Sequence, residues 1–299
     1  LLFIPLFGWG IPADVVWHSQ SKNSSESMPV GGGSIGMNVW VENGDIYFYL
    51  CRSGSFDENN TLLKQGRFRI RLTPNLDTTH NFSQRLSVYN GYVIISDRNT
   101  SVKLWVDVFK PVVHISIDSK KTIAVEYDYH NWRYRNREIS KKESFQTSYK
   151  FGVPKGVFTS HDTVTPSDCN ITFFHLNPDT TVFDATVAQQ HLSQYKSELY
   201  NPLKNLIFGG RIFGNNLKYS GTNDGVYDHT DYRSYNLCSR TNSKHHELCI
   251  ALTDNQGSVA DWNHKLDGIV KTINQRNDLE ASVKWWNNFW NRSFIYTQK

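Results

Sequence analysis

The sequence predicts a mainly β protein, a large antiparallel β-sandwich that is followed by helices near its C-terminal end. Two observations predict this class. Short apolar segments separated by turn residues recur from Asp14 to about Thr253, and the apolar spacing becomes helical after Gly257. Arg67–Leu72 illustrates the strands, because basic and apolar residues alternate in it as they do in a strand with one buried face.

Twelve segments are predicted to be strands. They are Met37–Glu42, Ile46–Arg52, Arg67–Leu72, Gln84–Tyr89, Tyr92–Ser96, Val102–Phe109, Val112–Ile117, Ile123–Tyr129, Cys169–Leu176, Leu206–Phe213, Tyr232–Cys238 and Leu248–Thr253. Gly44-Asp45 and Asn90-Gly91 are predicted hairpin turns, and the second favours type I′, in which both residues have positive φ. We expect the highly charged segment Trp132–Ser148 to be an exposed loop.

Three helices are predicted, one among the strands and two after them. The first has an apolar face formed by Ala188, Leu192, Tyr195 and Leu199. Asp184 is its predicted N-cap, and Pro202 follows its end. The other two are Ser258–Thr272 and Asp278–Arg292.

The last helix carries a large aromatic face that includes Trp286 and Trp290, and such a face normally packs on another surface. It either folds back on the sandwich or, as we favour, packs on sequence beyond Lys299.

The chain is therefore predicted to have three parts: residues 1–13, 14–257 and 258–299. Leu1–Ala13 is short and apolar and ends in a small residue, which predicts the remnant of a signal peptide and a secreted protein, extracellular or periplasmic if bacterial.

Four cysteines fit an oxidised secreted protein. Cys238 and Cys249 flank a polar turn that permits a disulfide, and the sequence leaves the connectivity open. Six Asn-x-Ser/Thr sequons permit glycosylation.

The composition excludes several classes of protein. With 38% hydrophobic and 20% charged residues, the chain is neither disordered nor collagen-like nor a coiled coil. No apolar run is long enough to span a membrane. The net charge of +4 is weak evidence for a nucleic-acid partner, because the 32 basic residues are scattered among 28 acidic ones. We expect neither a membrane nor a nucleic-acid partner. The aromatic content of 14% suits a β protein and is compatible with sugar binding.

One glycine-rich segment matches two known sequence motifs but lacks the secondary structure that both motifs require. Gly31–Gly36 matches both the hydrolase nucleophile elbow and the dinucleotide fingerprint, yet the residues after it predict a strand where both motifs need a helix. We expect a glycine turn that leads into a hairpin. No metal site and no cofactor is predicted. Ordinary loop or surface roles are expected for Asp224, Asp228, His229, Asp231, His245, His246 and Glu247.

The residues between two confident strands, Ile46–Arg52 and Arg67–Leu72, form the candidate site. A loop of about 14 residues there is long for a hairpin, and long loops are often functional. Its charged and amide groups suit hydrogen bonding to sugar hydroxyls or contact with a neighbouring domain. The candidates are Arg52, Asp57, Glu58, Asn60 and Lys64. Adjacent Asp57 and Glu58 point apart on an extended chain, so they are a poor acid–base couple, and the catalytic residues stay unknown.

Four segments resemble a known family, the N-terminal domain of the secreted family called domain of unknown function 5703. They are Trp17–Trp40, Phe56–Arg67, Asn201–Gly210 and Trp285–Ser293, and the resemblance extends from Asp14 to Lys299. It departs at Gly32, where the family commonly has Asn. The family is similar in layout to fucosidase-like glycoside hydrolases. This resemblance implies a β-supersandwich of the galactose-mutarotase type, helical linkers and an (α/α)₆ barrel that carries the catalytic carboxylates.

Three hypotheses for the function follow. The leading one is the non-catalytic β-sandwich of a secreted glycoside-hydrolase-like protein, whose partners are carbohydrate and a downstream barrel of the same polypeptide. In that case this chain alone is expected to be inactive. The alternative is a stand-alone glycan-binding or structural module. The third is a serine esterase that uses Ser34.

Overall fold

The computed structural model describes residues 13–149 and 152–293, and it confirms the mainly β class. Its strands are β1 (Val15–Trp17), β2 (Met28–Gly32), β3 (Ile35–Glu42), β4 (Asp45–Phe56), β5 (Leu62–Thr73), β6 (Ser83–Ser87), β7 (Tyr92–Ser96), β8 (Thr100–Val106), β9 (Val112–Asn131), β10 (Arg137–Glu138), β11 (Phe158–Thr159), β12 (Thr163–Pro166), β13 (Asn170–Leu176), β14 (Leu206–Gly214), β15 (Leu217–Tyr227), β16 (Thr230–Ser239) and β17 (Ser243–Gln256). The helices are α1 (Lys141–Ser144), α2 (Val182–Gln189), α3 (Val259–Lys271) and α4 (Gln275–Trp290), and a 3-10 helix covers Ser193–Glu198.

Two antiparallel sheets share the 20-residue strand β9. Its first half pairs with β8 and β17 in a larger sheet of order β1-β6-β7-β8-β9-β17-β14-β13-β12. Its second half lies between β5 and β16 in a smaller sheet of order β2-β3-β4-β5-β9-β16-β15. The sequence predicted two strands here, Val112–Ile117 and Ile123–Tyr129. The polar residues between them mark where β9 crosses from one sheet to the other, so the strand itself does not break.

The main hydrophobic core lies between the two sheets. Phe68 in the smaller sheet contacts Phe173 in the larger one with ring centroids 6.3 Å apart, and Tyr129 stacks on Phe173 at 4.5 Å. Because successive residues of a strand point to opposite faces, the neighbours of these core residues lie on the outer faces of the sandwich. The outer face of the smaller sheet carries the candidate site described below.

Helix α3 covers part of the outer face of the larger sheet and forms a second, smaller core there. Trp262 and Leu266 are fully buried, and the indole of Trp262 contacts Phe174 at 5.1 Å and donates to the Thr253 carbonyl at 3.2 Å. The predicted helix Ser258–Thr272 is therefore confirmed, and its apolar spacing reflects this contact with the sheet.

Helix α4 lies over two turns at one end of the larger sheet. The Asn287 amide donates to the Tyr89 carbonyl at 2.7 Å, and the Ser282 hydroxyl accepts from the Val108 N–H at 3.2 Å. Its aromatic residues Trp285, Trp286, Phe289 and Trp290 pack on one another. The helix thus folds back on the sandwich in part, while Trp285 stays exposed and the other three are half-buried.

Several local predictions were wrong. The Asn90-Gly91 hairpin exists, but Ser87 pairs with Tyr92 across a four-residue turn in which only Gly91 has positive φ, so the turn is not type I′. The other turn lies one residue earlier than predicted, at Asn43-Gly44, where both residues have positive φ. Helix α2 ends at Gln189, before most of its predicted apolar face. The remaining residues of that face are exposed: Leu192, Tyr195 and Leu199.

The four cysteines do not support the disulfide suggested for Cys238 and Cys249. Cys238 pairs with Glu126 and Lys218 in the smaller sheet, whereas Cys249 belongs to β17 in the larger one. All four cysteines are free thiols. The predicted signal-peptide remnant falls on residues 1–13, which lie almost entirely outside the described residues, and the division into 14–257 and 258–299 stays a prediction.

Candidate functional site

A cleft of about 680 Å³ lies on the outer face of the smaller sheet, beside the β15–β16 hairpin and the segment that follows β9. Five aromatic residues line it, and each is partly exposed: Tyr49, Trp132, Tyr134, Tyr227 and Tyr232. Strand register explains the floor of the cleft. Tyr49 pairs with Arg67, and Arg67 pairs with His130, so these three side chains from β4, β5 and β9 lie side by side on one face.

Arg67 is a buried cation of the cleft, with 3% of its surface exposed. Its guanidinium carbon lies 3.6 Å from the ring centroid of Tyr227, and its Nε donates to His130 Nδ1 at 3.0 Å. Burial, together with the charges of Arg67 and Arg69, lowers the pKa of His130 to about 2, so this imidazole is neutral. Among the described residues, no carboxylate lies within 4.0 Å of the Arg67 guanidinium.

Lys64 is the second cation of the cleft without a carboxylate partner in the described part of the chain. Its exposed ammonium lies 4.0 Å from the ring centroid of Tyr49. The other three cations of the cleft already have carboxylate partners: Arg137 binds Glu143, Arg133 binds Asp162 and Arg135 lies 3.4 Å from Asp231. Two cations therefore stay available to a ligand.

The predicted long loop does not exist, because β4 continues to Phe56 and β5 begins at Leu62. Residues 57–61 form a short connection, and the strands beside it are irregular in register. Asp57 holds this connection together. Its Oδ1 accepts from the backbone N–H of Asn59 at 3.0 Å and of Thr61 at 2.7 Å, and burial raises its pKa.

The structure separates the five predicted candidates. Asp57 and Lys64 line the cleft. Arg52 lies elsewhere and forms an ion pair with Asp254 at 3.0 Å, and the Asn60 amide donates to the Ser148 hydroxyl at 2.7 Å. Glu58 is 4% exposed and points into the protein rather than into the cleft.

Glu58 begins a buried chain of charged groups. His175 contacts Glu58 Oε2 through Nε2 and Asp162 Oδ1 through Nδ1, each at 2.9 Å, and Arg133 binds the other side of Asp162 at 2.8 Å. Burial alone would lower the pKa of His175, but the hydrogen bonds and charges of Asp162 and Glu58 outweigh it and raise the pKa to about 9. Arg133, which was expected in an exposed loop, is thus a core residue with 6% of its surface exposed.

The other sequence motifs have structural roles. Gly31–Gly36 forms the β2–β3 hairpin, in which Gly33 has positive φ and a Cβ at Gly32 would lie 2.8 Å from the Val106 carbonyl. The glycine turn was therefore predicted correctly, and β3 follows Ser34 directly. In the β15–β16 hairpin, Asp224 binds Arg233 and Asp231 lies 3.4 Å from Arg135. His246, which was expected at the surface, is buried.

The residues that sequence reasoning missed are Tyr49, Arg67, His130, Trp132 and Tyr227. The alternation of Arg67–Leu72 predicts Arg67 only as an outward-facing residue of a half-buried strand. Its partners belong to β9 and to the β15–β16 hairpin, which lie far from it in sequence. The sequence features that bear on the cleft are the alternation of β5 and the high aromatic content. Neither feature predicts that β5, β9 and the β15–β16 hairpin lie next to one another.

A family model described as "Domain of unknown function (DUF5703)" matches residues 16–295. This chain belongs to that family. Membership in DUF5703 confirms the resemblance carried by the tryptophan-rich and glycine-rich segments. No functionally curated protein matches the chain. A solved structure of a heparinase III with methylated lysines matches it with 10% identity and a TM-score of 0.27, over 78% of this chain and 36% of that one.

The DUF5703 chain thus spans about a third of the heparinase III chain that it matches. No helix within residues 13–149 and 152–293 is both long and apolar enough to cross a membrane.

Proposed function

We propose that this domain binds carbohydrate in the cleft and is the non-catalytic N-terminal part of a secreted glycoside-hydrolase-like protein. One observation carries the proposal: the cleft combines five partly exposed aromatic rings with two cations, Arg67 and Lys64, that lack a carboxylate partner in the described chain. Aromatic rings offer flat apolar surfaces to the C–H faces of sugars, and the polar groups fix the orientation of a ligand.

The two cations indicate the kind of sugar. A buried guanidinium without a counter-ion is costly, and an anionic group of a ligand would offset that cost at Arg67. Lys64 at the rim would add a second, solvent-exposed attraction. We therefore expect a preference for glycans that carry carboxylate or sulfate groups over neutral glycans.

The carboxylates of the cleft support a non-catalytic role. Hydrolysis of a glycosidic bond generally needs two carboxyl groups on either side of that bond. Asp57 is held by backbone N–H groups, Glu143 by Arg137 and Asp231 by Arg135. Among the cleft residues that are described, this leaves Asp228 alone, so we expect no hydrolysis by this chain.

The catalytic carboxylates are proposed to lie in a helical barrel downstream in the same polypeptide. The aromatic end of α4 would contact that barrel, since Trp285 is exposed and Trp286, Phe289 and Trp290 are only half-buried. A stand-alone glycan-binding module is the second candidate, because the same cleft would serve it. A serine esterase receives no support, since Ser34 lies in a hairpin turn.

A glycan array tests the proposal directly. We expect the purified chain to bind acidic glycans on the array and to release no product from them in solution. Lys64→Gln should weaken binding. Lys103→Gln is the matched control, because Lys103 lies over Tyr92 in the larger sheet at 5.0 Å and should leave binding unchanged. Absence of binding to any glycan, or equal effects of the two substitutions, would contradict the proposal.

The two candidate functions differ in one further result. If the complete polypeptide that contains this domain hydrolyses the glycan found on the array, the hydrolase-like interpretation holds. If it binds the same glycan without cleaving it, the stand-alone module is correct.

A further inference from the structure

A buried cluster of two carboxylates and one imidazole joins α4 to the sandwich. Asp107 belongs to the β8–β9 turn, His114 to β9 and Asp278 to the first turn of α4. One potential ligand atom of each lies within 4.8 Å of the other two, and all three residues are buried. We propose that this cluster binds a divalent transition-metal ion, Zn²⁺ in the first instance, which fastens α4 to the sandwich.

Two buried atoms in the cluster point to a missing partner. Asp107 Oδ2 and His114 Nε2 are both buried and have no hydrogen-bond partner among the described residues. Leaving such atoms unpaired costs about 1–3 kcal/mol each, so native proteins rarely do so. A metal ion between the two atoms would satisfy both at once.

The surroundings hold these atoms in place. The other carboxylate oxygen of Asp107 accepts from the backbone N–H groups of Phe109 at 2.7 Å and Lys110 at 3.1 Å, which fixes the orientation of Oδ2. His114 is stacked on Trp105 at 4.0 Å, and its Nδ1 faces the Cys249 sulfur at 3.5 Å. Nε2 is therefore the ring nitrogen left to bind a metal.

The donor set and charge favour a transition metal. One imidazole nitrogen and two carboxylate oxygens suit Zn²⁺, whereas Ca²⁺ and Mg²⁺ prefer oxygen ligands alone. Lys110 donates to Asp278 at 2.5 Å and to the Thr272 carbonyl at 2.6 Å, so it neutralises one of the two carboxylates. The cluster keeps a formal charge of −1 from two carboxylates and one ammonium, which a divalent cation would offset.

The metal content of the purified chain tests this proposal. The chain is expressed in medium with added zinc, purified without chelator and measured by plasma mass spectrometry. We expect about one zinc per chain, and X-ray absorption should show nitrogen and oxygen ligands at about 2.0–2.2 Å. Asp107→Asn should lower the bound zinc at least tenfold. The turn should stay intact in this variant, because the Asn Oδ1 can still accept from the backbone N–H groups of Phe109 and Lys110.

A control and a second variant complete the test. His245 is an exposed histidine between Asp118 at 2.8 Å and Glu247 at 3.0 Å, so His245→Gln should leave the zinc content unchanged. His114→Gln should abolish binding. If the wild-type chain contains no zinc, or if Asp107→Asn and His245→Gln retain equal amounts, the cluster is not a metal site and a direct Asp107–His114 interaction is the better explanation.

Discussion

The buried charges that run from Glu58 through His175 and Asp162 to Arg133 show how single residues stabilise this sandwich. Each charged group has a protein partner at hydrogen-bond distance, and Glu58 also accepts from the Ser160 N–H at 2.6 Å. A buried charge that loses its partner is much more costly than an exposed one. The network therefore ties the β4–β5 connection to β13, and its role is structural.

Removing one end of this network should destabilise the fold strongly. Glu58→Ala leaves His175 without one of its two partners, and we expect the free energy of unfolding to fall by about 3–5 kcal/mol in urea titrations. Glu280→Ala is the control, because its ion pair with Arg276 is exposed and should cost about 1 kcal/mol or less. Equal losses in the two variants would contradict the structural role of the network.

The same network predicts how stability depends on pH. Because the pKa of folded His175 is raised to about 9, its contribution is complete below its unfolded pKa of about 6.5 and is lost as the pH rises through 9. We expect the free energy of unfolding to fall between pH 7 and pH 10 by roughly 2.5 kcal/mol. His175→Gln should show a flatter profile over this range, and an unchanged slope in that variant would disprove the assignment.

The sequence predicted residue types better than it predicted residue partners. The sequence predicts Asp57 and Glu58 as polar residues of a loop, yet their burial follows from contacts with backbone groups and with His175, more than a hundred positions away from Glu58. Arg133 looked exposed because its neighbours are charged. No spacing rule could show that Asp162 lies beside it.

At the scale of elements, strands with alternating residues were predictable, since one face of each is buried between the sheets. Six strands were missed: β1, β2, β10, β11, β12 and β15. Four of them have only two to four residues, whereas β2 and β15 contain glycines, a proline or mostly exposed residues, so none presents a clear alternation. Helices α3 and α4 were predicted because each buries a face against the sheet or its turns. The position of α4 depends on the β6–β7 turn, where the space at Gly91 is occupied by Trp286.

Gly91 should therefore control the attachment of α4. A Cβ at Gly91 would lie 2.0 Å from Trp286 Cδ1, and the positive φ of 73° adds strain for any other residue. We expect Gly91→Ala to lower the free energy of unfolding by about 1–3 kcal/mol and to speed hydrogen exchange in α4.

The control for this change lies in the neighbouring helix. Gly268 in α3 has open space around its Cα, so Gly268→Ala should raise the free energy of unfolding by about 1 kcal/mol and leave exchange in α4 unchanged. If exchange in α4 is the same in Gly91→Ala as in the wild-type chain, the turn does not hold the helix.

At the scale of the whole molecule, the cleft is a product of topology. Strands β4, β5, β9 and β16 bring together residues that are widely separated along the chain, and the long strand β9 links the face of the cleft to the larger sheet. The sequence predicted the sandwich and its terminal helices, because periodicity is local. It could not predict the cleft, because the cleft depends on which strands are neighbours.

The central claim is that the cleft binds carbohydrate through its aromatic rings, and calorimetry of one substitution tests it most directly. The acidic glycan with the strongest signal on an array is titrated into the wild-type chain, Trp132→Ala and Tyr195→Ala, with melting temperatures measured to verify folding. Tyr195 is an exposed aromatic residue outside the cleft. We predict that Trp132→Ala weakens affinity at least tenfold, about 1.4 kcal/mol, and that Tyr195→Ala leaves it unchanged. Equal affinity of all three folded proteins would contradict the claim.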